Sequence, residues 1–221
     1  MAARFILLMG MQGAGKGTQA EAITHALGIP HVTSGGMFRE IMKQDSPLAT
    51  EIRSYYDAGK LVPDDLTIQM IRGRLSQPDA VRGVILDGFP RTVAQAQALD
   101  SLLASMGTRL GLVANLDISE AEALVRVGGR RVCTLDDNHV YHIRYNPPHA
   151  DGICDIDGAL LKIRSDDQPD EIRKRIDIFK RDTRPVLEYY AGRDPALVRT
   201  LDAEQPIEAV TADLMAAVEA L

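Results

Sequence analysis

The run Gly10-Met11-Gln12-Gly13-Ala14-Gly15-Lys16-Gly17-Thr18 constrains this chain more than any other feature. It follows a short apolar β-type run, 4–9, and opens a segment of helical character, 18–27, that stops at Gly28. Glycine lets a backbone turn with positive φ and wrap closely around a ligand. A strand, a glycine-rich turn and a helix N-terminus in that order aim successive N–H groups at one point, with the helix end adding about half a positive charge. A phosphate group satisfies such a cradle, and G-x4-G-K is the spacing that builds one. Lys16 is placed to reach outer phosphates and Thr18 to bring a hydroxyl to a metal ion. Gly17 stands where Ser or Thr is usual, so the hydroxyl arrives one position late. The rival reading, a tight turn with a surface lysine, would suit a lone Gly-x-Gly. Four glycines, a lysine and a threonine between strand and helix argue against it. The run points to a nucleoside triphosphate and leaves the acceptor unnamed.

The rest of the chain alternates. Short strands are expected at 31–33, 83–86, 110–116 and 197–201. Helices are expected at 37–44, 47–58, 65–76, 92–106 and 119–127, and again from Pro169, with Pro185 kinking or splitting that last one. Alternating strands and helices imply an α/β fold, a parallel sheet covered on both faces. Ile207, Val210, Leu214, Val218 and Leu221 share one face at helical spacing and predict a core-packing C-terminal helix. Between 128 and 167 the alternation breaks. Gly-Gly, Pro-Pro, two short alternating runs (139–145 and 159–163) and both cysteines predict a small β-rich insertion.

Composition narrows the function classes. The chain has 221 residues, 45% apolar and 25% charged, enough for a real core without disulfides. Two cysteines exclude a disulfide-framework scaffold. The early apolar run, Phe5 to Met9, is too short for a secretory signal or a membrane span, which reads as a soluble cytoplasmic protein with no membrane partner. A net charge of −6 argues against a generic nucleic-acid binder. The 19 arginines against 6 lysines suit phosphate chemistry, although codon bias explains the ratio equally well.

Further strings narrow the reading. These are 34–39 (Ser-Gly-Gly-Met-Phe-Arg), 59–64 (Gly-Lys-Leu-Val-Pro-Asp), 86–92 (Leu-Asp-Gly-Phe-Pro-Arg-Thr), 129–132 (Gly-Arg-Arg-Val), 140–142 with 145–148, and 164–167 (Arg-Ser-Asp-Asp). With Gly-Lys-Gly-Thr, they resemble the nucleoside monophosphate kinases, and within them the adenylate kinase family of the long-lid bacterial type. The resemblance implies a P-loop core (1–32, 63–128 and 167–221), a helical AMP-binding flap (33–62) and a β-rich lid (129–166). It implies the reversible reaction ATP + AMP = 2 ADP by in-line transfer, with Mg2+, and a monomer. A GTP:AMP phosphotransferase or another nucleoside monophosphate kinase is the alternative.

Phosphoryl transfer needs positioned cations and backbone donors rather than a nucleophile. By resemblance, Gly13, Ala14, Gly15, Lys16, Gly17 and Thr18 hold ATP, with Arg126 and Arg130 at the lid base and Val140, Tyr141 and Gln205 framing it. Ser34, Arg39, Lys60, Leu61, Val62, Gly88, Phe89, Pro90, Arg91 and Gln95 hold AMP. Arg164 and Arg175 close over the transferring phosphate. Lys16, Arg91, Arg126, Arg130, Arg164 and Arg175 carry the catalytic charge, and Asp87 with Thr18 orients Mg2+ through water. Thr92-x-x-Gln95 also reads as a helix capping box. Two departures from the family stand out: Gln12 in place of proline, and Gly36 in place of aspartate.

In the insertion, Cys133-x2-Asp136 and Cys154-x2-Asp157 form two x2 knuckles. Such a pair suits a tetrahedral structural zinc site, with His139 or His142 as a substitute ligand. A metal-free lid with two buried thiols is the alternative. Gly128 and Gly129 open the insertion and are expected to form part of a hinge, while Gly35, Gly36 and Gly59 bracket the flap.

Overall fold

The computed structural model describes residues 4–58 and 60–221; Gly59 and the first three residues of the expected core lie outside the described residues. Chain order runs β1 (Arg4–Met9), α1 (Lys16–Leu27), β2 (His31–Thr33), α2 (Ser34–Met42), α3 (Pro47–Asp57), α4 (Asp64–Leu75), β3 (Gly83–Asp87), α5 (Val93–Ser105), β4 (Leu110–Asp117) and α6 (Glu120–Gly128). It continues with β5 (Arg130–Cys133), β6 (Val140–His142), β7 (Leu161–Lys162), α7 (Pro169–Ile178), α8 (Arg184–Arg193), β8 (Val198–Asp202) and α9 (Ile207–Glu219).

β1, β2, β3, β4 and β8 form one parallel sheet in the order β2-β3-β1-β4-β8. β1 lies in the middle because Phe5 to Met9 are all buried and both faces need cover. Phe5, Leu7 and Met9 pack with Leu99 and Leu103 of α5 and Tyr190 of α8. Ile6 and Leu8 face the other way, against Ile23 of α1 and Leu214 and Val218 of α9. Each such side chain contributes about 1.5–3 kcal/mol by leaving water. A crossover on either side of β1 opens a crevice at the carboxyl ends of the strands, where doubly wound sheets bind ligands.

The insertion is a separate antiparallel sheet, β6-β5-β7, around Cys133, Tyr141 and Cys154. The two alternating runs shrink to Val140–His142 and Leu161–Lys162, because β5 offers only four residues to pair with. On α9, Val210, Leu214 and Val218 are buried, whereas Ile207 and Leu221 are about half-exposed at the ends of the face. The break near Pro185 is a π-helical turn, Phe179–Thr183, after which Pro185 sits in the first turn of α8. The proline has no N–H to give to the preceding turn, which runs on into α8, and the ladder widens there.

Candidate active site

The loop after β1 wraps as its glycines predict. Gly13 and Gly15 hold φ of 84° and 83°, and Gly15 caps α1 in the left-handed region. Lys16 turns its ammonium back onto the loop, donating to the Gly10 carbonyl at 2.8 Å and the Met11 carbonyl at 2.9 Å. Burial, offset in part by Asp87, lowers its pKa to about 8. Gln12 replaces a rigid ring with a tether: its Nε2 donates to the Ile172 carbonyl of α7 at 3.1 Å.

Asp87 ends β3 beside this loop. Burial alone would raise its carboxyl, but His31, with Nε2 3.5 Å away, and Lys16 more than offset that and hold it below the usual carboxylate range. The Thr18 hydroxyl is exposed on the cavity wall. Aspartate is absent at position 36 for a visible reason. Thr33 caps α2 by accepting the Gly36 N–H at 2.9 Å, and a Cβ there would collide with that hydroxyl.

Three further segments face the loop across a cavity of about 1740 Å³. That exceeds the roughly 300–1,000 Å³ of a single small-ligand pocket. From α2, the Ser34 hydroxyl donates to the Gly88 carbonyl at 2.6 Å, and the Arg91 Nε reaches the same carbonyl at 2.8 Å. Burial first, then the charge on Arg175, pulls Arg91 below the ordinary guanidinium range. Gln95 is buried, and its amide is oriented on both sides. Oε1 accepts the Arg91 N–H at 2.7 Å and Nε2 donates to Asp64 at 2.7 Å. The expected capping box is therefore shifted: Thr92 accepts the Gln95 N–H at 3.1 Å, while Gln95 reaches back one residue further, to Arg91.

Two acids where the insertion ends organise the arginines. Asp167, fully buried, takes Arg130 through two bonds of 2.8 and 2.6 Å and Arg175 at 3.3 Å. Asp166 pairs with Arg175 at 3.0 Å and accepts from the Tyr56 hydroxyl of α3 at 3.2 Å. Arg164 donates to the Asp137 carbonyl at 2.8 Å, and its buried Nε has no protein partner. Burial first, then Arg130 and Arg39, lowers its pKa. Such crowding of like charges favours an anion between them.

Nearly every residue expected at the nucleotide sites lines this one cavity. Phe89 is the correction: only 3% exposed, its ring packs in the sheet's core and leaves Gly88, Pro90 and Arg91 to face the cavity. Tyr141 also turns its ring into the insertion's small core, and its hydroxyl accepts the Asp155 N–H at 2.8 Å. Gly129 has an ordinary φ of −84°, and it is glycine because a Cβ would collide with the His142 ring. Gly128 faces open space. Glu122, Asp137 and Tyr56 line the cavity as well, and no motif marked them; Tyr145, which opens the string 145–148, lines it too.

The predicted metal knuckles rearrange. Cys133, His139, Cys154 and Asp157 bring their donor atoms within 4.8 Å of one another. Asp136 is not among them. Its carboxylate accepts the Asn138 N–H at 2.9 Å and lies 3.6 Å from the outer nitrogen of His139. The turn at 136–139 thus delivers His139 Nδ1, 3.0 Å from Asp157 and 3.5 Å from the Cys154 sulfur. His142 is engaged elsewhere, accepting the Arg144 and Tyr145 N–H groups at 3.0 Å each.

Comparison with known proteins agrees with this geometry. The family profile described as adenylate kinase matches residues 8–194. The chain is 45% identical to an adenylate kinase of Streptomyces avermitilis over 214 residues, 97% of this chain and 96% of that one. It is 46% identical to an adenylate kinase of Symbiobacterium thermophilum over 215 residues, 97% of this chain and 98% of that one. A loop shaped to cradle phosphate, arginines converging on a large cavity from α2, α6, β5, α7 and the loops after β3 and β7, and likeness along nearly the whole chain lead to one statement: this protein belongs to the adenylate kinase family.

Proposed function

We propose that the chain transfers the terminal phosphoryl group of ATP to AMP, reversibly, giving two ADP. The observation that carries this reading is the single cavity shared by the Gly10–Thr18 loop and the Ser34, Arg39, Gly88 and Arg91 wall. ATP lies along the loop, its outer phosphates on the N–H groups of Gly13 to Thr18 and on Lys16. AMP lies opposite, its phosphate on Arg39 and Arg91. Arg126, Arg130, Arg164 and Arg175 surround the group in transit, where negative charge is spread over its equatorial oxygens. Lys60, Leu61 and Val62 border the acceptor side, and Val140, Tyr141 and Gln205 the donor side. Residues 33–62 serve as the acceptor flap and 129–166 as a lid, and closing them keeps water from taking the phosphoryl group.

Asp87, held as a carboxylate beside the loop, and the Thr18 hydroxyl fit Mg2+ as an all-oxygen set completed by water. The ion, when bound, neutralises phosphate charge. Cys133, His139, Cys154 and Asp157 fit structural zinc. A tetrahedron with bonds of about 2.0–2.3 Å has edges of about 3.3–3.8 Å, near the separations of these donors. Zinc there would bind the insertion's loops together and has no part in the transfer.

A coupled assay offering ATP or GTP with AMP, GMP, UMP or CMP tests the reading. ATP with AMP should be the best pair by at least about tenfold in kcat/KM. GTP as the better donor, or equal rates with UMP and CMP, would contradict it.

A further inference from the structure

Glu122 is one of the carboxylates on the cavity wall, and its surroundings set it apart from the others. It lies one helical turn before Arg126 on α6. Its Oε1 accepts the Arg126 Nε–H at 2.7 Å. The same oxygen accepts the Tyr145 hydroxyl, which comes from the insertion, at 3.3 Å. Arg126 is anchored on its other side as well: Nη1 donates to the Ala203 carbonyl at 2.9 Å and reaches the Gly13 carbonyl of the phosphate loop at 3.5 Å. The guanidinium is planar, so fixing Nε and Nη1 fixes the whole group. Tyr145 is itself held, its ring stacked on His142 at 4.6 Å between centroids and its N–H given to His142 Nδ1.

We propose that Glu122 is a positioning residue for the donor nucleotide. It orients Arg126 through Nε and completes that orientation only when the lid brings the Tyr145 hydroxyl onto the same oxygen. This rests on the reading of Arg126 as a donor-side group. An ordinary i,i+4 surface pair would also put glutamate here, but such a pair contributes little and would leave nucleotide kinetics alone. Two features separate the cases. Both partners are under a quarter exposed, and the carboxylate is shared with a second segment, the insertion. The negative charge is tolerated beside phosphates because Arg126 neutralises it and because it lies in the first turn of α6, at the positive end of the helix.

Steady-state kinetics on Glu122→Gln, Glu122→Leu, Tyr145→Phe, Arg126→Ala and the Glu122→Leu/Tyr145→Phe double variant test this, with thermal melting as the control for folding. Glu122→Gln should raise the KM for ATP about fivefold, the scale of one hydrogen bond in a partly exposed site, lower kcat as well because Arg126 also faces the group in transit, and leave the KM for AMP within about twofold. Tyr145→Phe should raise the KM for ATP by less, about twofold, and add nothing in the Glu122→Leu background, since both changes remove the same contact. If both Glu122 variants keep the wild-type KM for ATP while Arg126→Ala raises it, the positioning role is overturned and the reading of Arg126 stands. If Arg126→Ala also leaves that KM unchanged, the donor-side reading fails and the inference with it. Independent, additive effects at 122 and 145 would overturn the shared acceptor. Should Glu122→Leu melt early, the isosteric Glu122→Gln variant decides the outcome.

Discussion

Lys16 shows how one residue answers two demands. Its ammonium bonds the carbonyls of Gly10 and Met11, so the charge is not left bare on the cavity floor. Burial holds its pKa at about 8. A polyphosphate brought against it favours the charged form and must raise that value again. Near pH 8 about half the free enzyme lacks this proton, so ATP binding should take up roughly half a proton per chain there. Uptake should fade below about pH 7, where the lysine is already charged. Titration calorimetry in buffers of differing ionisation heat measures this directly, and release instead of uptake would contradict the assignment. Lys16→Met should lower kcat by about a thousandfold, the scale on which charge stabilisation acts in such transfers, while the melting temperature stays close to wild type.

At the scale of elements, the ends of helices and strands matter more than their middles. α1, α2 and α5 all begin at the cavity, where their caps fix the residues in use: Gly15, Thr33 and Thr92. The junction of α6 and β5 separates two glycines that look alike in sequence. Gly129→Ala should slow turnover and lower the melting temperature by several degrees, because the methyl group drives into the His142 ring and displaces Tyr145 stacked on it. Gly128→Ala, facing open space, should be neutral or slightly stabilising through better helix propensity. Parallel melts and rate measurements on the two variants check this contrast. For the antiparallel insertion, metal analysis of purified protein should find about one zinc per chain, and a chelator should lower the melting temperature. No zinc, with melting unchanged by the chelator, would leave the four donors a hydrogen-bonded cluster.

The molecule as a whole stands with its two arms in contact. Arg39 of α2 lies 3.5 Å from Asp137 of the insertion, and Tyr56 of α3 bonds Asp166. Arg39 meets Asp137 through Nε, so the fork ends of its guanidinium remain for a phosphate. Asp137→Asn should weaken this contact and enlarge the ligand-free particle. Small-angle scattering should show a larger radius of gyration than wild type without nucleotide, and the same radius with a bisubstrate dinucleotide bound. Identical radii without nucleotide would mean that this pair does not hold the arms together.

The sequence by itself determined the sheet and the phosphate loop, because a glycine run between strand and helix and apolar runs of strand length are local signals that can be read without knowing what lies opposite. The further cavity residues around Ser34, Gly88 and Arg164 came through the family resemblance of their strings, which left Tyr56, Glu122 and Asp137 unmarked. Tertiary structure alone decided the partnerships. Whether Asp136 or His139 turns towards the two cysteines depends on how one loop packs. Phe89 leaves the site because β3 delivers its ring to the core. Glu122 meets Tyr145 only because the insertion folds back over α6. Such contacts join residues far apart in the chain, and no periodicity or spacing records them, since they are set by the energy of packing whole elements together.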